Sequence, residues 1–560
     1  MRIRNALAIV PLLAVPALLA QACLSGTCED ASKECPSGPF RAADPNAKTG
    51  GNGAIGGGAG QSGLTTGGAG VGSEDSVGGS SNTGGGAGAL AKVCDTTKLP
   101  SEEPCLIDEM YGVFVSPLGN DGTGDGSRKK PFASIGKGIE GARTDLRRVY
   151  VCAPVNTLTK PVVIGSEDKG LQLFGDFTCA DGWVSNADTK TKITSDAAGA
   201  LLISQVENIR IEGFEFAAAD AVDPGGSSYG AFVMGSTNVV LSHVKITAGK
   251  GKAGSGGVTW VDAAAKGADG NPGKNACSGG TSGGDVVSKQ CGQGTSIAGK
   301  GGDAGLAMGV GGLGTNGSPN TPPLGNGGVG QTSGSLQCAP GVGLGYPGQD
   351  GVDQEMGNGA SAVGTIDATG YQPKDGSSGV SGAIGGGGGG GGGAKAPASC
   401  VNGLLVAGAS GGSGSAGGCG GNGGGAGMGG GGSFALVSIG SAITLDKVTL
   451  SASDGGAGGK GGQGQTGGVG GQPGAAAAGV SSLPSCAGGM GGKGGKGGDG
   501  GGGAAGPSIG IAYTGSAPTE VAQTVVITVS ASALGGPDAS GATTGSGVGV
   551  VGISETRHMF

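Results

Sequence analysis

Few residues in this sequence are of a kind that does chemistry. Its 560 residues include 2 His, 2 Trp and 3% aromatics, against 140 Gly. Two carboxylates are nevertheless placed to act together. Glu212 and Asp446 occupy matching positions of a repeated segment, with Ser242 at the same position of the copy between them. If the copies stack, two strand spacings of about 4.8 Å separate the acids by roughly 10 Å. That is near the upper end of the carboxylate separation in inverting glycosidases. A solvated face with an occasional acid uses the same residues. In the adjacent column Glu215 lies over Lys245, a surface ion pair of small energetic weight.

The run Asn120-Asp121-Gly122-Thr123-Gly124-Asp125-Gly126 alternates oxygen-bearing and small residues. Asn120, Asp121 and Asp125 can hold calcium, which takes such oxygens; a Gly/Asp turn capping the first coil needs the same residues and is the plainer expectation. No other cofactor is indicated. GxGxxG matches arise by chance in a chain one-quarter Gly and carry no nucleotide information. His243 stands alone, far from His558, and no CxxC pair exists, so a zinc site has no support. The net charge of −8 lacks the basic footprint of a nucleic-acid partner.

The N-terminus names a compartment. Arg2 and Arg4, an apolar run from Ala6 to Ala20, and Ala20-Gln21-Ala22 before Cys23 read as an export signal over residues 1–22. Cleavage before Cys23 resembles a bacterial lipoprotein signal, which implies a lipid on that Cys and, with Leu24 rather than Asp following, the outer membrane. The remaining Cys of the 13 are an even set, expected as disulfides in an oxidising compartment. They are Cys28, Cys35, Cys94, Cys105, Cys152, Cys179, Cys277, Cys291, Cys338, Cys400, Cys419 and Cys486. Local pairing would join 28 to 35, 94 to 105, 152 to 179 and 277 to 291.

These residues must be positioned by something, and a repeat supplies it. Asn208 to Phe216 recurs as Asn238 to Ile246 and as Ala442 to Leu450, each time as two short alternating strands around a bend. A further apolar strand precedes each copy: Ala200 to Ile203, Gly230 to Met234, and Phe434 to Ile439. A looser copy runs from Ser508 to Val529. One such coil cannot bury its apolar side alone, but stacked coils share a core. The expected fold is all-β, a right-handed parallel β-helix with an N-terminal capping helix over Pro131 to Arg148.

The repeat also organises the glycine. Each copy leaves its last strand and enters a Gly-rich excursion at the same point, so long insertions emerge from one corner of the solenoid. Runs such as Gly491-Gly492-Lys493-Gly494-Gly495-Lys496 can form extended three-fold helices like polyproline II, hydrogen-bonded only to one another. Plain disorder, favoured by the backbone entropy of Gly, is the competing expectation. The division expected is a signal at 1–22, a Gly/Ser-rich linker at 23–92, and the cap and first coils at 93–248. An insertion follows at 249–432, then a coil at 433–453, a second insertion at 454–507 and terminal coils at 508–560.

Val115-Ser116-Pro117-Leu118-Gly119-Asn120-Asp121-Gly122-Thr123, then Lys130-Pro131-Phe132-Ala133-Ser134-Ile135, resembles the opening motif of bacterial pectate-lyase-like β-helix surface proteins. Val149-Tyr150-Val151-Cys152, followed by Leu173-Phe174-Gly175-Asp176-Phe177-Thr178-Cys179, is similar to Gly-rich exported lipoproteins of myxobacterial type, of the kind termed PE-PGRS-like. The mycobacterial PE domain itself is absent. Enzymes of this fold use clustered Asp for calcium and a basic residue as proton abstractor; here no Arg lies between Arg210 and Arg557. The expectation is therefore a non-enzymatic surface β-helix whose Gly-rich segments contact envelope, matrix or polysaccharide. The alternative is an extracellular polysaccharide lyase or glycoside hydrolase.

Overall fold

The computed structural model describes residues 94–143, 147–152, 158–179, 182–186, 189–400, 406–480 and 484–560. The expected export signal, Cys23, Cys28, Cys35 and the linker lie outside these residues. The chain divides into two compact units, Met1–Cys94 and Asp95–Phe560, and every described strand and helix lies in the second.

The fold is mostly β, with parallel sheets and, among the described residues, one α-helix at Ile135–Ala142. It is shorter than the helix expected from Pro131 to Arg148. Phe132 is taken up in a parallel bridge to Val115, Ser134 caps the first turn by accepting from Lys137 N at 3.2 Å, and Arg148 already begins a strand. Ile135, Ile139 and Ala142 face the core. Gly138 lets the helix sit against the first strand, since a Cβ there would strike Val115.

Three parallel sheets arise from the repeat. Gly199–Ser204, Glu207–Glu212 and Phe214–Ala217 form one circuit of the chain, each strand in a different sheet. The next circuit is Ser228–Met234, Thr237–Ser242 and Lys245–Thr247. The third is Ser433–Ile439, Ile443–Asp446 and Thr449–Ser451, and the fourth Ser508–Thr514, Thr519–Glu520 and Val526–Thr528. Alternation places every second residue inward, and the registers align these residues from circuit to circuit. Leu201, Ala231, Leu436 and Ile511 form one buried column; Ile211, Leu241 and Leu445 form another; Phe216, Ile246 and Leu450 a third. Bends recur at fixed places: Gln205, Gly235, Gly440 and Gly515 turn the chain through positive φ between the first and second strands of successive circuits.

The Gly-rich insertions are ordered by a different rule. Every third N–H from Gly251 to Trp260, and again from Ala264 to Ala276, donates to the carbonyl of a residue between Asp454 and Ala478, so the two segments run parallel with a three-residue period broken by one slip. Segment 412–430 donates in the same period to 486–504, and 376–394 donates antiparallel to 409–427. Segment 456–474 donates to 413–431, and 488–506 to 456–474. These are extended three-fold helices joined by backbone hydrogen bonds into a lattice. At about 3.1 Å per residue, segment 251–276 is roughly 78 Å long.

Position in the lattice decides composition. The nine glycines Gly385–Gly393 are buried on all sides, and a Cβ on Gly391 would fall on the carbonyls of Cys486 and Ala487. In 456–475 the pattern is mostly Gly-Gly-x, and Ala457, Lys460, Gln463, Thr466, Val469, Gln472 and Ala475 are its exposed residues. Where a rim N–H finds no carbonyl, side chains serve: Asp269 accepts from Gln472 N at 2.7 Å, Asp303 from Gly283 N at 2.9 Å, and Asp350 from Lys493 N at 2.6 Å.

Disulfides staple both regions. Cys152–Cys179 ties the end of strand Arg148–Cys152 to the residue after strand Gln172–Thr178, its parallel neighbour, beside an aromatic cluster of Phe114, Tyr150, Phe174, Phe177 and Trp183. The expected pairing of Cys277 with Cys291 is corrected: Cys277 bonds Cys400, Cys291 bonds Cys419, and Cys338 bonds Cys486. The lattice brings together chain segments more than 120 residues apart, so nearness in sequence loses its force there. Cys94 and Cys105 are also disulfide-bonded. Such bonding is consistent with an exported protein. Among the described residues no helix is long and apolar enough to cross a membrane.

Candidate functional site

The column containing Glu212 and Asp446 forms because three strand ends share one register. Glu212 pairs with Ser242, and Ser242 with Asp446. Ser242 Oγ donates to Asp446 Oδ2 at 3.3 Å and lies 3.4 Å from His243 Nδ1. His243 has φ of 50° and donates its backbone N–H to the Asp446 carbonyl at 3.0 Å, so it stands at a bend of the circuit. Glu212 is nearly buried and receives Arg210 Nε at 3.0 Å. Ser242 thus stands between the two acids, and each has its own partner.

The structure places a further carboxylate beside this column, next to Gly213. Asp176 lies on the neighbouring strand Gln172–Thr178, two residues past Phe174, the register partner of Glu212, where pairing with strand Arg148–Cys152 slips between Tyr150 and Cys152. Its backbone is left-handed, with φ of 61°, and its carbonyl accepts from Asn186 N at 2.7 Å. Gly213 makes the approach possible, since a Cβ there would meet the Asp176 carboxylate. Burial, with the Glu212 charge second, pushes the Asp176 carboxyl up to about 7. Ser185 Oγ donates to it at 3.4 Å. Asp176 escapes the repeat because it sits in an irregular strand outside the copied segments; the sequence signal that marks it is Gly175-Asp176 interrupting an apolar strand.

The other expected residues have separate partners. Lys245 Nζ reaches Glu215 Oε1 at 3.0 Å, a half-exposed ion pair. Asn120 Oδ1 accepts from Gly122 N at 2.8 Å and Thr123 N at 2.9 Å, Asp121 Oδ1 from Ala133 N at 2.7 Å and Ser134 N at 3.0 Å, and Asp125 Oδ1 from Ser127 N at 3.0 Å. Hydrogen bonds from Ser127 hold Asp125 below its ordinary carboxyl value. These oxygens accept from separate backbone donors, as turn-capping residues do. Among the described residues no group of three or more His, Cys, Asp or Glu is arranged to hold a metal ion.

No protein-family model matches the sequence, and no curated protein matches it. Among solved structures, a chain named rhamnogalacturonan lyase aligns over 26% of this chain and 37% of its own, at 16% identity and a TM-score of 0.17. At that level the likeness carries no argument about chemistry.

Chemically, a carboxyl near neutrality beside a second carboxylate is a pair in which one member can hold a proton that the other lacks. Arg210 supplies the only cation bonded to Glu212 among the described residues. In the lattice, outward side chains repeat about every 9 Å along each three-fold helix.

Proposed function

We propose that the protein is an exported, non-enzymatic right-handed parallel β-helix, lipidated at Cys23, that holds a rigid glycine arm out from the cell surface. The arm contacts envelope, matrix or polysaccharide. What carries this reading is the continuity of the backbone ladders: segments 251–276, 376–394, 408–431, 456–478 and 486–506 stay in register over most of their lengths. A loose linker has no use for that order, and a catalytic cleft has no use for an insertion of this size.

The test is retention of the full chain on isolated envelopes and on immobilised extracellular polysaccharide, compared with a variant lacking residues 254–428. Loss of retention in the deletion, with no soluble product from the polysaccharide, supports the arm. Equal retention of both proteins would overturn it. Loss of labelled acyl chain in Cys23→Ala tests the anchor separately.

A second reading has one observation in its favour, the Asp176–Glu212 pair. In it Asp176 donates a proton to a leaving glycosidic oxygen and Glu212 acts as base, as in carbohydrate-active enzymes. New reducing ends or unsaturated products, abolished in both Asp176→Asn and Glu212→Gln, would establish it in place of the first.

A further inference from the structure

The far end of the lattice is unlike the rest of it. Leu306, Met308, Val310 and Leu313 fall within eight residues at the turn between segments 299–305 and 311–317. With Val329 and Val342 they are between 43% and 71% exposed. The ladder ties them together: Gly311 N donates to Gln331 O at 2.9 Å and Val329 N to Val342 O at 2.5 Å. The turn itself is strained, because Ala307 and Met308 take left-handed backbone in succession, with φ of 47° and 67°. It is also held on both sides. Ala307 N donates to Val406 O at 3.1 Å, and Ala396 N to Gly309 O at 3.1 Å. Cys277–Cys400 closes the neighbouring segments. An unfavourable backbone is therefore fixed so that Met308, 71% exposed, points away from the protein.

Charge changes sign here as well. Residues 271–346 and 394–400 contain Lys274, Lys289, Lys300 and Lys395 against only Asp285 and Asp303, in a chain of net −8. Lys300 is paired with Asp303 at 2.9 Å, whereas Lys274 and Lys395 make no ion pair among the described residues. Lys395 is adjacent to the turn, since its backbone N–H donates to Gln331 Oε1 at 2.9 Å.

We infer that this tip is a lipid-contacting surface that places aliphatic side chains among acyl chains and lysines among anionic headgroups. The side chains are convex and purely aliphatic, without the aromatic faces or converging donors that a sugar site uses. Apolar residues with the unpaired Lys395 beside them match the two components of interfacial membrane binding, buried apolar area and attraction to anionic lipid. The inference deepens the reading of the insertions as an arm by naming what the arm touches.

The test is co-sedimentation of the full chain carrying Cys23→Ala, so that no lipid on that residue contributes. Vesicles are phosphatidylcholine alone or with about 30% phosphatidylglycerol. We expect binding to the anionic vesicles about tenfold tighter than to neutral ones, weakened by salt. Met308→Asp should lower anionic binding at least about tenfold. Hydrogen-exchange protection over 376–427 shows whether that variant keeps its lattice, and Leu313→Ser, on the next segment, serves if it does not. No binding to either vesicle, or unchanged binding in both variants, overturns the inference. So does lipid-independent self-association abolished by Met308→Asp, which would make the patch a contact with a second copy. Retention on polysaccharide without vesicle binding would remove the lipid contact and leave the arm reading intact.

Discussion

Leu241 and Gly391 show how differently two repeating regions of this protein are held. Leu241 is buried between Ile211 and Leu445, and its circuit is stable because successive side chains fill a shared interior. Gly391 is equally buried but contributes no side chain; its N–H donates to Gly412 O at 2.8 Å, and its own carbonyl accepts from Gly302 N at 2.8 Å. One region turns hydrophobic burial into order, and the other turns the absence of Cβ atoms into hydrogen bonds of about 1 kcal/mol each. The strands tolerate many apolar residues at a position, provided volume is kept. The lattice interior is filled by glycine and small residues such as Ala409, Ser413 and Ala416, while larger side chains such as Lys460 and Gln463 lie on its exposed rows.

The sharpest way to break the comparison is Gly391→Val. We expect loss of hydrogen-exchange protection across 376–427 and 486–504, with protection of Ile209–Ile211 and Val239–Leu241 kept; Thr466→Val on the exposed row should change neither. If both regions lose protection together, they are one cooperative unit and the distinction fails. Next in size is removal of the Cys338–Cys486 staple by Cys338→Ser with Cys486→Ser. Releasing a link that spans 148 residues costs about 5 kcal/mol by loop-closure entropy, read as a lower urea midpoint of the lattice transition. Leu241→Ala should cost about 2–5 kcal/mol and lower the midpoint of the strands instead.

The smallest effect separates the regions by the sign of their pH response. Burial and Glu212 raise Asp176 to about 7, so the folded strands hold its proton more tightly than the unfolded chain does. Their stability should therefore fall as pH rises from about 4 to 7, and Asp176→Asn should flatten that slope. In the lattice, a hydrogen bond from Lys266 followed by one from Gln472 N lowers Asp269. Asp303 is pushed up by burial but brought lower on balance by Lys300 and Gly283 N. Stability from these groups is present above about pH 4 and lost below it. Thermal unfolding followed by probes in each region, from about pH 3 to 8, checks both signs. Parallel pH curves would count against the contrast.

Much of the strand region was legible because its rule is written in side chains. Alternating apolar residues at Ile209, Ile211, Phe214 and Phe216 state which face is inward, and the next copies repeat the statement. The helix end was less legible, since Phe132 and Arg148 look helical by spacing but are claimed by strand pairing. In the lattice, composition distinguishes interior from surface, as the run Gly385–Gly393 and the Gly-Gly-x rows show. Which segment lies beside which is another matter: glycine carries no side chain to mark a neighbour, so the Cys400 and Cys419 partners could not be read from spacing. Asp176 was hidden for the opposite reason, being a single residue in an irregular strand that no repeat flags. The cysteines and glycines were visible, but their geometry is set by backbone pairing far along the chain.

Ladders with a three-residue period also limit how the Gly-rich segments can change in length. Between Gly251 and Trp260 each donor bonds the residue 203 positions later, and from Ala264 onward the offset is 202. The extra residue within 261–263 is absorbed as a local slip beside Val261, which is 91% exposed. Insertions or deletions in whole triplets leave the pairing phase of a segment untouched, whereas one or two residues must be discarded at the rim in this way. Gene segments coding for the Gly-rich lattice should therefore grow and shrink in steps of nine nucleotides, with odd-sized changes confined to exposed edges and turns.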